Sequence, residues 1–145
     1  MHTMDRAEWL AFANHGTRTG KLATVRANGA PHVAPVWFLV DETADGDHVV
    51  FTTGADTVKG RSLRRDPRFA LCVDREEPPY SFLVLHAEAE VSEDLADMLV
   101  WATRLGVRYM GHERAEEYGR RNAVPGELLV RGRITKVVAQ AEIAD

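Results

Sequence analysis

A basic segment between residues 51 and 68 carries the residue types best suited to binding an anion. Phe51–Thr53 has the composition of a strand end, and a glycine follows it. Asp56 or Thr57 can then cap a short helix, which must stop at Asp66-Pro67 because proline disfavours the helical conformation of the preceding residue. A helix start offers free backbone N–H groups and the positive end of the helix dipole. The cations along this helix are Lys59, Arg61, Arg64 and Arg65. The segment is therefore either an anion site or a solvated basic face.

A hairpin precedes the basic segment and must help to position it. Asn28-Gly29 separates two extended runs, Lys21–Arg26 and Pro31–Val40, and this dipeptide is the strongest short-range signal for a hairpin. Pro35 interrupts the second run and lacks a backbone N–H group, so we expect that part of the strand to be an edge or a bulge. An interrupted edge leaves room beside it for a ligand.

The remaining patterns predict an α+β fold with a mostly antiparallel sheet. Alternation or continuous apolar character predicts further strands at His48–Thr53, Phe69–Asp74, Tyr80–Val91 and Glu127–Gln140. Helical spacing predicts helices at Thr3–Asn14, from a Ser92 cap to about Leu105 with Gly106 as a stop signal, and at Glu113–Arg121. Hairpins dominate, and helices do not alternate regularly with strands. We therefore predict one domain, residues 1–145, built on a small closed or partly closed barrel of six strands.

Composition excludes several classes of function. The 145 residues carry a net charge of −4, which argues against general nucleic-acid binding. A single cysteine, Cys72, excludes an internal disulfide, and six scattered histidines argue against a metal site. The first residues are amphipathic, and no apolar run approaches the length of a membrane span, so we expect a cytoplasmic protein without membrane association. The common short catalytic motifs are missing, and no nucleophile–base pair stands out.

Three blocks of sequence resemble a known family. They are LATVRANGAPHVAPVWFLVD, VVFTTGADTVKGRSLRRDPRFALCVD and PPYSFLVLHAEAEV. In order and spacing they are similar to the split β-barrel family of pyridoxamine 5′-phosphate oxidase, which binds flavins and deazaflavins. The resemblance covers roughly Leu10 to Val138 and is greatest to the actinobacterial branch of coenzyme F420-dependent oxidoreductases.

The resemblance implies a six-stranded split barrel and a homodimer whose cofactor lies in a groove between the subunits. The cofactor ring would rest against the strand that carries Pro35, Val36 and Trp37. The phosphate would lie near Thr52, Thr53 and Lys59, with Arg61 and Arg64 as further partners. Arg131 or Arg133 could extend a basic groove for the longer anionic tail of F420. Arg108-Tyr109-Met110-Gly111 resembles a family segment near the substrate.

The sequence also departs from the oxidase proper. His32 and Trp37 occupy the region where the oxidase carries an arginine and a lysine, which argues against pyridoxamine phosphate oxidation. The prediction is an oxidoreductase that transfers a hydride between F420 and a small unsaturated organic substrate. FMN-dependent oxidoreduction and non-catalytic binding of a flavin or a haem-like ligand remain alternatives. No catalytic residue is assigned, although Tyr80, His86 and Tyr109 are candidate proton donors, and no residue identifies the substrate.

Overall fold

Eight strands and four α-helices make up the computed structural model, which describes residues 1–145. The strands are β1 (His2–Thr3), β2 (Gly20–Val25), β3 (Pro31–Val36), β4 (Leu39–Thr43), β5 (Gly46–Gly54), β6 (Arg68–Arg75), β7 (Ser81–Ser92) and β8 (Glu127–Ala141). The helices are α1 (Arg6–Ala13), α2 (Val58–Arg65), α3 (Leu95–Met110) and α4 (Ala115–Asn122), with a 3₁₀ turn at His112–Arg114. None of the helices combines the length and the apolar character needed to cross a membrane.

All strands belong to one antiparallel sheet whose two edges are consecutive in the chain. The order is β3-β2-β6-β7-β8-β5-β4, and the short β1 pairs with the end of β8. Only Trp37 and Phe38 separate the edge strands β3 and β4. Three Cα–Cα steps span at most roughly 11 Å, so the two edges must approach each other where the chain crosses between them. The sheet is therefore an incompletely closed barrel, which confirms the predicted α+β split barrel.

The structure has eight strands where the sequence predicted six. The extended run Pro31–Val40 is two strands, because its first part pairs with β2 and its second part pairs with β5 at the opposite edge. His2–Thr3 adds the other strand by pairing with Gln140 and Ala141. Pro35 lies in the edge strand β3, as predicted.

The core fills the inside of the barrel. Phe51 and Phe69 meet there edge to face, with ring centroids 5.7 Å apart and planes at 89°. Gly132 on β8 lies directly against the Phe69 ring, because a Cβ atom at this position would be only 2.3 Å from Phe69 Cζ. Helix α1 packs Trp9 and Leu10 against the same cluster. Other fully buried side chains of the core are Leu22, Phe38, Val49, Leu71, Val73, Leu83, Leu85, Leu128 and Val130.

Two helix boundaries differ from the prediction for identifiable reasons. Helix α1 begins after Asp5, not Thr3, because Asp5 and Glu8 form a reciprocal capping box. Helix α3 is capped by Asp94, not Ser92, and it continues through Gly106 to Met110. Gly106 does not stop the helix because it serves packing instead. A Cβ atom there would lie 2.9 Å from the carbonyl oxygen of Ala115, so glycine lets α4 approach α3 closely.

Candidate functional site

A surface groove of about 450 Å³ lies where β3 and β5 end, where α2 and β8 begin, and where the α3–α4 pair covers the sheet. We call it the cleft. Its size falls within the range of small-molecule binding sites. The cleft is lined by Pro35, Val36, Trp37, Thr52, Thr53, Gly54, Thr57, Lys59, Leu105, Tyr118, Arg121, Asn122 and Glu127.

Six of the eight predicted cofactor-binding residues line the cleft together. They are Pro35, Val36, Trp37, Thr52, Thr53 and Lys59. Arg61 and Arg64 lie elsewhere, because positions two and five residues after Lys59 on a helix project in other directions. Arg61 lines a separate cavity with Arg26, and the Arg64 guanidinium is 2.9 Å from the Glu93 carboxylate. The role of these residues in binding stays a prediction.

The other two suggested cations also lie outside the cleft. Arg131 Nη2 is 3.1 Å from the carboxylate of Asp41, and Arg133 Nη2 is 3.4 Å from the carboxylate of Glu88. Both arginines line a different cavity on the sheet, so neither extends the cleft as a basic groove. No three His, Cys, Asp or Glu side chains cluster in a way that could hold a metal ion.

The junction of β5 and α2 forms one end of the cleft. Thr57 caps α2: its hydroxyl accepts a hydrogen bond from the Gly60 N–H group at 3.1 Å and donates one to the Gly54 carbonyl oxygen at 2.7 Å. The Thr53 hydroxyl lies 3.2 Å from the Thr57 hydroxyl. Gly60 is in close contact with the end of β5, since a Cβ atom at this position would be 2.2 Å from the Gly54 carbonyl oxygen. This close approach places the start of α2, with its free N–H groups, beside the two threonines.

Lys59 supplies the positive charge at this end. Its side chain is half-buried and takes part in none of the ion pairs of the protein. A cation that forms no salt bridge, next to a helix start and hydroxyl groups, is suited to an anionic ligand. The geometry thus gives this end of the cleft the chemistry of an anion site.

Glu127 lies beside Lys59 as the one carboxylate of the cleft. It begins β8 and is paired in register with Gly54 at the end of β5. Burial raises the pKa of the Glu127 carboxyl above its ordinary value, and the nearby Lys59 ammonium opposes that shift. The pairing of two strands distant in sequence, rather than any local pattern, brings this acid to the anion end.

Trp37 forms a flat surface in the cleft. Its indole ring stacks on the phenol ring of Tyr109 with centroids 5.0 Å apart and planes within 5° of parallel. The ring of Tyr118 packs against it at 5.6 Å and 51°. Tyr109 belongs to α3 and Tyr118 to α4, so the helix pair holds the indole from its own side and orients it at the gap between the edge strands.

Tyr109 and its neighbour Arg108 hold the backbone of this region in place. The Tyr109 hydroxyl accepts a hydrogen bond from the Phe38 N–H group at 3.2 Å and donates one to the Arg18 carbonyl oxygen at 2.9 Å. The Arg108 guanidinium donates to the carbonyl oxygens of Phe38 at 2.6 Å and Ala13 at 2.8 Å. Burial raises the pKa of the Tyr109 hydroxyl and lowers the pKa of Arg108. These two residues position the cleft and do not line it.

The structure places the candidate proton donors outside the cleft. The hydroxyl of Tyr109 is committed to backbone groups, while Tyr80 and His86 are exposed away from the site. The phenol that does line the cleft is Tyr118, which sequence reasoning missed. Tyr118, Arg121 and Asn122 are spaced i, i+3 and i+4, so they share one face of α4. That spacing was the available signal, but the segment as a whole resembles an ordinary charged surface helix.

The model of the pyridoxamine 5′-phosphate oxidase family matches residues 6–141. The chain belongs to this family. The match covers nearly the whole chain and confirms the resemblance of the three sequence blocks. None of the curated proteins matches this sequence.

Solved structures share the fold of this family member. A conserved hypothetical protein from Mycobacterium tuberculosis superposes with a TM-score of 0.81 at 24% identity, over 96% of this chain and 86% of that one. An F420 reductase superposes with a TM-score of 0.66 at 24% identity, over 88% of this chain and 94% of that one. A FAD-binding protein from Mesorhizobium loti superposes with a TM-score of 0.67 at 20% identity, over 95% of each chain. At these identities the likeness establishes the split-barrel fold.

Proposed function

We propose that this protein is an oxidoreductase that binds coenzyme F420 in the cleft and transfers a hydride between the coenzyme and a small unsaturated organic substrate. One observation carries the proposal: the cleft joins an oriented aromatic surface, Trp37, to an anion end formed by Thr52, Thr53 and Lys59. A ligand with a planar ring and a phosphate-bearing chain matches both features. The F420 reductase that shares the fold supports the same choice.

The residues of the cleft would bind and orient rather than react. When bound, a deazaflavin supplies the hydride chemistry itself, so the protein needs no nucleophile. Trp37, with Pro35 and Val36 on the edge strand, would support the ring. The Lys59 ammonium, the hydroxyls of Thr52 and Thr53, and the first N–H groups of α2 would hold the phosphate. A charge-assisted hydrogen bond of this kind contributes roughly 1.5–3 kcal/mol where water is excluded.

A titration tests this assignment. The protein is titrated with F420 and, separately, with FMN, and ring fluorescence is followed. We expect micromolar affinity for F420 and a tenfold or greater loss in Lys59→Ala, from about 1.4 kcal/mol per factor of ten. Arg61→Ala is the matched control, because it removes a cation from the same helix but outside the cleft. Binding of FMN alone would overturn the choice of F420.

A flavin in place of F420 is the second candidate. The FAD-binding protein from Mesorhizobium loti has the same fold, and the Trp37 surface suits an isoalloxazine ring as well as a deazaflavin. Binding without hydride transfer to any enone or quinone would favour a binding protein over an enzyme, whether its ligand is a flavin or a haem-like group. Single-turnover assays with the reduced cofactor distinguish these outcomes.

The proposal includes a homodimer with the cleft at the subunit interface. The edge strand β3 borders the cleft, and its outer face exposes apolar groups, with Val33 63% exposed. A second subunit against this edge would cover these side chains and enclose the open side of the cleft. Light scattering measures the mass in solution, and a strict monomer would contradict this part of the proposal.

A further inference from the structure

The charges of the cleft are unevenly matched. Lys59 and Arg121 are its two cations, and Glu127 is its one anion, so these three side chains leave a single net positive charge. Arg121 lies near the Tyr118 ring, with its guanidinium carbon 5.4 Å from the ring centroid, and Glu117 precedes it by one turn on α4. Lys59 and Glu127 lie together at the anion end. Any anionic group bound there must be accommodated next to a carboxylate.

Glu127 is held in place by backbone pairing. The Ala55 N–H group donates to the Gly126 carbonyl oxygen at 2.8 Å, and Glu127 is in register with Gly54 on β5. Its Oε1 atom lies 3.6 Å from the position that a Cβ atom on Gly54 would occupy, which places the carboxylate directly over the strand end. Strand pairing therefore fixes the backbone of Glu127 at the anion end, where its carboxylate lies over the end of β5.

This carboxylate has no hydrogen-bonded or ion-paired partner, although the Lys59 ammonium lies nearby. Glu127 forms no side-chain hydrogen bond, and its burial raises its pKa, whereas Asp41, Glu88 and Glu93 are each paired with an arginine. A half-buried carboxylate without a donor has lost part of its hydration without compensation. Placed beside a proposed phosphate site, it adds repulsion that grows with the charge of the phosphate.

We infer that Glu127 tunes the charge selectivity of the anion end, because its carboxylate weakens the binding of a dianionic phosphomonoester more than that of a monoanionic phosphodiester. The inference rests on the proposed function, since it concerns the anion end of the same cleft. A phosphomonoester carries between −1.5 and −2 charges at pH 7, whereas a phosphodiester carries one. Lys59 and Arg121 attract both groups, whereas Glu127 repels the more highly charged monoester more strongly. The monoester would bring a further negative charge against Glu127. F420 carries a phosphodiester and FMN a monoester, so the residue favours the former.

The experiment compares two ligands that differ by one charge. They are riboflavin 5′-phosphate and its methyl ester, each prepared also on the 5-deazaflavin ring so that ring preference does not decide the outcome. Dissociation constants are measured by ring fluorescence at pH 8 and low salt, where screening is weak. We expect the ratio of the two dissociation constants, monoester over methyl ester, to be about fivefold higher in wild-type protein than in Glu127→Gln, the factor that one unit-charge interaction of about 1 kcal/mol supplies.

Glu127→Gln should lower that ratio by strengthening the binding of the monoester more than the binding of the methyl ester. The substitution is isosteric, and the carboxylate makes no hydrogen bond that it would break. Glu116→Gln is the control: it removes the same charge from α4 at a site whose side chain is 87% exposed and outside the cleft, and it should keep the wild-type ratio. An unchanged ratio in Glu127→Gln, with F420 still bound, overturns this inference alone. Failure of wild-type protein to bind F420 or either ligand pair overturns the proposed function and this inference together.

Discussion

The indole ring of Trp37 lies flat on the phenol ring of Tyr109, 5.0 Å away and within 5° of parallel, although the two residues are far apart in sequence. The hydroxyl of Tyr109 also accepts a hydrogen bond from the backbone N–H group of Phe38, the residue that follows Trp37. One side chain thus fixes both the ring and the backbone at the crossing between the edge strands. The orientation of the aromatic surface in the cleft therefore depends on the last turn of α3.

Tyr109→Phe should destabilise the protein while keeping the stacked ring. The substitution leaves the Phe38 N–H group and the Arg18 carbonyl oxygen without their partner. We expect the free energy of unfolding in urea to fall by about 1–3 kcal/mol, the cost of an unsatisfied polar group. Tyr80→Phe is the control, because the exposed Tyr80 hydroxyl makes no hydrogen bond, and its effect should stay within about 0.5 kcal/mol. Equal effects of the two substitutions would contradict this role for Tyr109.

Trp37→Ala should weaken cofactor binding more than any other tryptophan substitution. It removes the flat surface against which a ring would stack, an interaction of roughly 0.5–1.5 kcal/mol beyond area burial, so we expect about a tenfold higher dissociation constant. Trp101→Ala is the comparison. Trp101 packs beside Met98 and Leu129, away from the cleft, so its loss should lower stability without changing the dissociation constant. The same weakening in both variants would point to a general loss of folding.

Gly60→Ala should disturb the start of α2. The added Cβ atom would meet the Gly54 carbonyl oxygen at 2.2 Å, and because that oxygen is backbone, the helix must move away from the strand. Overpacking of this kind typically costs 1–3 kcal/mol, so urea unfolding should register a loss of about that size. Arg61→Ala, on the exposed face of the same helix, should be nearly neutral. Unchanged stability in Gly60→Ala would mean that α2 is not seated on β5 as described.

Glu127 should give stability a particular dependence on pH. Its pKa in the folded protein lies above the ordinary value of 4.5, because burial disfavours the charged form. The folded state therefore binds the proton more tightly than the unfolded state, and the contribution of this group to stability falls as pH rises through the folded pKa. The free energy of unfolding of the wild type minus that of Glu127→Gln, measured from pH 4 to 8, should decrease with rising pH. An increase would contradict the burial of this carboxyl.

Local patterns were sufficient to predict several elements. Asn28-Gly29 forms the predicted hairpin turn, with Gly29 at a φ of +85° that asparagine or glycine adopts most readily. Thr57 is the N-cap of α2, and that helix ends at Arg65 with Asp66 as its C-cap before the proline, in agreement with the predicted stop at Asp66-Pro67. Each of these features depends on residues within a few positions of one another. Short-range chemistry therefore determined them without reference to the rest of the fold.

The assembly of the cleft depended on contacts between distant segments. The sequence predicted Trp37, Thr52, Thr53 and Lys59 together only because three blocks resemble a family, and the structure brings them to one groove. The sequence alone could not show that Tyr109 binds backbone groups and does not face a substrate. That role exists only because the end of α3 packs on the crossing at Phe38.

The basic segment that first suggested an anion site shows which features the sequence determined and which the tertiary structure determined. By itself the sequence determined a strand, a break and a capped helix carrying four cations, because strand composition, glycine and capping chemistry act locally. Only the tertiary structure decided that Lys59 faces the cleft while Arg61 and Arg64 face away, and that Glu127 joins Lys59. The reason is geometric. The direction of each helical side chain is set by how α2 packs on β5, and Glu127 reaches the cleft through strand pairing between residues half the chain apart.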